Sequence, residues 1–210
     1  MLINRRRILE LSGATGLALA AGGLPNPAFA EDLSTLSEAG PMGDKFIGKE
    51  DAPVTIIEYA SMTCPHCASF HEKVLPELEK KFIDTGKARL IFREFPFDPR
   101  ATAAFMLARC APEGMYFPMI DVLFKQQSKW VRAQDPVPPL QNIAKLAGFT
   151  QESFEACLKN QKVLDSVMAV QKKAAKDYGV NATPMFFING EKFEGAYTVE
   201  GMSKAIEAAM

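Results

Sequence analysis

The chain has 210 residues, 48% of them apolar, with 24 Lys and Arg against 25 Asp and Glu and a net charge of −1. That balance leaves no basic footprint for a nucleic acid. No segment is long and apolar enough to read as a membrane span, which takes about 20 apolar residues.

The first residues read as an address. Arg5, Arg6 and Arg7 precede a small, apolar stretch from Leu11 to Leu24, and Ala28-Phe29-Ala30 forms a cleavage site before Glu31. This is the pattern of a signal peptide over residues 1–30. Asn4-Arg5-Arg6-Arg7-Ile8-Leu9 resembles a twin-arginine signal, with Asn4, Ile8 and Glu10 departing from the usual residues, so Tat and Sec export both stay open. Either route leads to a bacterial periplasm, where disulfides persist. Removing residues 1–30 leaves 21 basic and 24 acidic residues, a net of −3, on 180 residues, enough for one domain with an insertion.

Residues 31–45 are polar and small, and residues 31–48 read as a flexible leader without a dimerisation helix. "VTIIEY", from Val54 to Tyr59, is an apolar, β-branched run suited to a strand covered on both faces, which makes Glu58 the odd residue. Then comes "TCPHC". After it Phe70, Val74, Leu78 and Phe82 fall four apart, a helical stripe, with Pro76 expected to kink or break it. "ARLIFREFPF" from Ala88 reads as a second strand, so the three segments imply a parallel βαβ unit. From Arg100 to about Tyr178 helix formers dominate in four or five segments, broken at Pro112-Glu113-Gly114, at Pro136 to Pro139 and at Gly148. Strands return at "TPMFFING" and "EKFEGAY" around an Asn189-Gly190 hairpin signal, and a helix from Val199 to Ala209 closes the chain. The expected organisation is α/β, with residues 49–99 and 179–210 forming one domain and residues 100–178 an all-helical insertion.

Three chemistries use a close cysteine pair. Haem attachment needs His directly after the second cysteine, and Ala68 is there. A zinc site could draw on Cys64, Cys67, His66 and His71, but His66 sits between the cysteines and no second CxxC completes a tetrahedron, so no metal site is expected. A redox pair explains more of the surroundings. A strand leads into the motif and a helix leaves it, which puts Cys64 at the N-cap and Pro65 at the first helical position. There the Cys64 sulfur can accept from the N–H groups of His66 and Cys67, and the positive end of the helix favours its thiolate. The His66 ring points the same way, towards the roughly 3.5 to 7.5 pKa range of such motifs. A stable thiolate leaves easily and makes the disulfide oxidising. A plain structural bridge is the blander alternative.

Cys64-Pro65-His66-Cys67, followed by helix, strand, insertion and Thr183-Pro184 leading into "MFFING", resembles the DsbA-like thiol-disulfide oxidoreductases over the whole mature chain. The resemblance implies a thioredoxin fold with an all-helical insertion between its βαβ half and its ββα half. It implies that Pro184 is a cis-proline whose loop, with Thr183, offers backbone to an extended substrate; an ordinary trans proline opening a strand is the alternative. It also places Glu58 beneath the active site to move a proton to or from Cys67, against an edge-exposed glutamate. It suggests a bridge between Cys110 and Cys157, as in some alphaproteobacterial members, with two buried free thiols as the other reading. Such a bridge could add about 4 kcal/mol.

Two departures stand out: His71 replaces an acid on the active-site helix, and Thr183 stands where the strongest oxidases carry valine. The function implied is a periplasmic dithiol oxidase acting on unfolded or partly folded exported proteins. It would be a cofactor-free monomer recharged by a quinone-linked membrane reoxidase of the DsbB type. Thr183 argues for an isomerase or reductase instead, and the short leader, without the oligomerisation segment of related isomerases, argues against that. A thiol-based metal-binding module or a peptide-holding chaperone is the reading from another class. Met62, Phe105, Met106, Met115, Phe117 and Trp130 could line an apolar groove beside the cysteines, although most read as core.

Overall fold

A computed structural model describes residues 33–210, and the signal peptide expected at 1–30 lies outside the described residues. Val54–Ala60 (β2) and Ala88–Glu94 (β3) pair in parallel along their whole length, with Val54 opposite Ala88 and Ala60 opposite Glu94. Both are nearly continuous buried runs, as a strand covered on both faces requires. Met185–Ile188 (β4) lies antiparallel on the other side of β2, and Glu191–Lys192 (β5) follows it through a tight hairpin. Asn189 and Gly190 both have positive φ, 48° and 88°, the backbone that a two-residue hairpin of this hand demands. The strand expected in "EKFEGAY" is only these two residues long.

The leader is not loose over its described part. Leu36 is buried at 1% exposure, and Lys45–Ile47 (β1) adds antiparallel to the outer side of β3, giving the order β1-β3-β2-β4-β5. Buried Arg93 explains the anchoring: it donates to the carbonyls of Leu36 and Glu38 and pairs with Asp44 at 2.8 Å. Taking a guanidinium out of water demands such a full set of partners, and the leader supplies them. The expected boundary at 49 therefore falls inside the sheet.

Alternation along the strands divides the core. Ile56, Leu90 and Phe186 pack with Phe70, Leu78 and Met202 on one face, while Ile57, Tyr59, Ile91 and Phe187 pack with Val170 and Tyr178 on the other. A third cluster joins Met62, Cys67 and Phe92 to Phe105, Leu123, Phe124 and Trp130 of the insertion. Truncating one such aromatic to alanine costs about 3–5 kcal/mol, so the insertion and the cysteine helix are parts of one packed body.

The helix after the motif, Pro65–Lys73 (α1), stops at Val74, and Leu75–Leu78 (α2) and a π-helical turn at Glu79–Ile83 continue the run. The break precedes Pro76 by two residues because a continuous helix would drive the proline ring against the carbonyl of Glu72. At the second position of α2 its missing N–H costs no hydrogen bond. Between β3 and β4 lie Pro99–Cys110 (α3), Tyr116–Lys125 (α4), Gln127–Val131 (α5), Val137–Leu146 (α6), Gln151–Leu158 (α7) and Gln161–Asp177 (α8). These six exceed the four or five expected because α4 and α5 are parted by Gln126 alone, with neither Pro nor Gly to mark the break. Val199–Ala208 (α9) closes the chain.

Candidate active site

The loop between β2 and α1 is held from two sides. Thr63 Oγ1 donates to Asp98 Oδ2 at 2.5 Å, and Asp98 Oδ1 accepts from the N–H groups of Arg100 and Ala101, which starts α3. From α5, the Gln127 side-chain amide donates to the carbonyls of Met62 and Cys64, each at 2.9 Å. Cys64 is the N-cap of α1 and Pro65 opens the helix. With its proton on, Cys64 closes no cap bond: the thiol turns across to Thr183 and donates to its carbonyl at 3.2 Å. A thiol has a proton to give and finds an acceptor in the neighbouring loop. As a thiolate it can only accept.

The two sulfurs differ sharply. Cys64 is half-buried, and its pKa is pushed down to about 5. The Cys67 thiol supplies the largest stabilising bond, burial opposes it, and Thr183 and the N–H groups of Cys67 and His66 add to it. Among the described residues the buried Thr183 hydroxyl has no hydrogen-bond partner, so it is free to donate to this thiolate. His66 itself is exposed, and its backbone N–H is among the groups that lower the Cys64 pKa, as the sequence led one to expect. Cys67 has no exposed surface, and burial, its bond to Cys64 and the nearby Glu58 charge push its thiol far up. One turn of helix thus carries an ionised sulfur and a protonated one at neutral pH.

The Thr183–Pro184 peptide bond is cis. Beside it a cavity of about 390 Å³ is lined by His66, Ser69, Phe70, Val74, Ala182, Thr183, Pro184 and Tyr197. Met62, Phe105, Met106 and Trp130 are buried in the core, as most of that set was expected to be, and so line no groove; Met115 and Phe117 pack against the same cluster. Tyr197, Phe70 and Val74 take that place, and only the folded register could reveal it.

Glu58 is fully buried, so the edge-exposed alternative falls away. Its Oε2 lies 3.0 Å from Nε2 of His71, whose ring packs against Phe92 and Phe124 at centroid distances of 5.2 and 4.5 Å. The sequence marked His71 only as replacing an acid on the active-site helix, and the structure places it inside, on the side of α1 that faces β2 and α4. Cys110 and Cys157 are disulfide-bonded, with a Cα separation of 6.1 Å, joining the end of α3 to α7. They lie apart from the Cys64–Cys67 pair, within the insertion.

Comparison with known proteins agrees with this geometry. A family model described as thioredoxin matches residues 42–208. Alpha-DsbA1 of Wolbachia pipientis superposes with a TM-score of 0.73 at 35% identity, over 79% of this chain and 90% of that one. BdbD of Bacillus subtilis, in its oxidised form, shares the fold, with a TM-score of 0.71 at 22% identity over 79% of this chain and 92% of its own. A Rickettsia bellii protein, named as a protein-disulfide oxidoreductase, is 35% identical over 80% of this chain. The match spans 64% of that relative's length.

Proposed function

This chain belongs to the DsbA-like branch of the thioredoxin family, and from that premise we propose that it is a thiol:disulfide oxidoreductase of the oxidase kind. In this reading it introduces disulfides into exported proteins in the periplasm. The observation that carries the reading is the opposite displacement of two sulfurs one turn apart, Cys64 to about 5 and Cys67 far upward. A half-exposed, ionised sulfur is a good leaving group, and its stability in the reduced state makes the disulfide a strong oxidant.

The chemistry balances. A substrate thiolate attacks Cys64 Sγ, the Cys64–Cys67 bond breaks, and Cys67 takes its electron pair and a proton. The substrate's second thiolate then attacks the substrate sulfur of the mixed disulfide, and Cys64 departs as a thiolate. The substrate loses two electrons. The pair gains them, with one proton held on Cys67. In this reading the groove beside Pro184 holds an extended segment, the main chain around Thr183 is the pairing edge and Glu58 is the proton-handling group under Cys67. A quinone-linked membrane partner of the DsbB type would draw the electrons away, and the enzyme would work as a monomer without a cofactor.

Thr183 ahead of the cis-proline favours a second reading, an isomerase or reductase. The reduction potential decides between them. Equilibration in glutathione buffers, with the Cys110–Cys157 bridge followed separately by peptide mapping, should give a value near the strong-oxidant end, about −120 mV. A value near roughly −230 mV or lower would replace the oxidase with the second reading.

A further inference from the structure

Cys67 has no surface through which to trade its proton with water, yet the chemistry proposed above requires it to gain one and lose one in every cycle. Glu58 can take that proton but is itself fully buried. Each member of the Glu58–His71 pair is joined by one atom and carries a second buried atom, Glu58 Oε1 or His71 Nδ1, that makes no hydrogen bond among the described residues. A chain of two groups with a free atom on each is built to take a proton at one end and release it at the other.

The far end opens elsewhere. His71 lines a second cavity of about 250 Å³, with Glu72 of its own helix, Glu79 of the π-helical turn, and Asp121, Phe124 and Lys125 of α4. This cavity shares no lining residue with the groove beside Pro184. The charged groups around His71 are Glu58 from β2, Glu79 from the turn, Asp121 and Lys125 from α4, and Glu72 and Lys73 on α1, while β3 contributes the ring of Phe92. Burial and Asp121 raise the Glu79 pKa, which makes it a better proton acceptor at the mouth.

We infer that His71 is a positioning and proton-passing residue acting through Glu58, and that the cavity behind it is a back door through which Cys67 exchanges its proton while substrate covers the front. The inference rests on the oxidoreductase reading. It separates the face that meets protein from the face that meets water.

The test uses the reduced protein and oxidised glutathione, with rapid acid quench and mass spectrometry. In the first step Cys64 thiolate attacks glutathione disulfide and one glutathione thiolate leaves, at a rate proportional to glutathione disulfide. In the second, Cys67 gives up its proton, attacks Cys64 and expels the other glutathione, at a rate independent of concentration. The H71Q side chain retains an N–H donor for Glu58 but cannot carry a proton. It should leave the first step within twofold of wild type and slow the second roughly tenfold with a flattened pH profile, less than the roughly 10²–10⁴-fold of a directly acting group.

E58Q should slow the same step, and the double variant should be no slower than E58Q alone. Added imidazole should restore the second step in H71A, which leaves room for it, and not in H71Q. A second step in H71Q within twofold of wild type, an equal fall in both steps, or additive losses in the double variant would each overturn the inference. A wild-type protein that forms no Cys64–Cys67 disulfide would sink the oxidoreductase reading instead.

Discussion

The molecule holds two pairs of cysteines, and their surroundings have sorted them into different trades. Cys110 and Cys157 are 47 positions apart, join two helices of the insertion and are bonded to each other. Cys64 and Cys67 are three apart, share a helix start and differ in charge. The same element serves as a staple where two elements must be held and as a reagent where a helix end, a buried neighbour and a crossing loop polarise it. Sulfur identity explains neither outcome. The microenvironment explains both.

That contrast can be broken in four ways. Cys64→Ser should abolish oxidation of a reduced dithiol peptide, whereas replacing Cys110 and Cys157 by alanine should leave the rate within about twofold, scored by alkylation of peptide thiols. The double alanine variant should instead lose about 4 kcal/mol of stability, the chain-entropy value for a loop of this length, in a denaturant melt under oxidising conditions.

A third test uses pH. The Cys64 pKa is depressed in the folded, reduced protein, from 9.0 to about 5. Its contribution is therefore fully present above pH 9, falls as pH drops and is gone below about 5. Melts of the reduced and oxidised forms should show the reduced form's advantage shrinking over that window. Alkylation of Cys64 should rise with a midpoint near pH 5. An advantage that does not vary with pH would place the source of oxidising strength outside the thiolate.

The smallest effect sharpens the comparison from the insertion side. Asp98→Ala removes the N-cap of α3 together with the bond from Thr63. It should cost about 1 kcal/mol in a melt and, unlike loss of the second bridge, should also alter the rate of alkylation at Cys64.

Local chemistry was legible in the sequence. β2, the helix start at Cys64-Pro65 and the hairpin at Asn189-Gly190 follow from patterns spanning a few residues, while the buried place of Glu58 came from the family resemblance. What escaped was set by distant register. β1 is only three residues long, too short to show an alternation of its own, and it is fixed by Arg93, whose partner Asp44 lies 49 positions away. His71 looks like a surface residue on a helix until Glu58 and Phe124, on two other elements, enclose it. The groove beside Pro184 draws on α1, the loop before β4 and Tyr197, and no short window contains all three.

Among the described residues the Gln127 side chain grips the active-site loop through the carbonyls of Met62 and Cys64. A clamp on main-chain oxygens is indifferent to the side chains at 65 and 66, the two positions that tune a Cys-x-x-Cys pair. Support and tuning are therefore written in different atoms. The dipeptide between the cysteines can be exchanged, by evolution or by design, to reset the redox character of the pair without renegotiating how the loop is held.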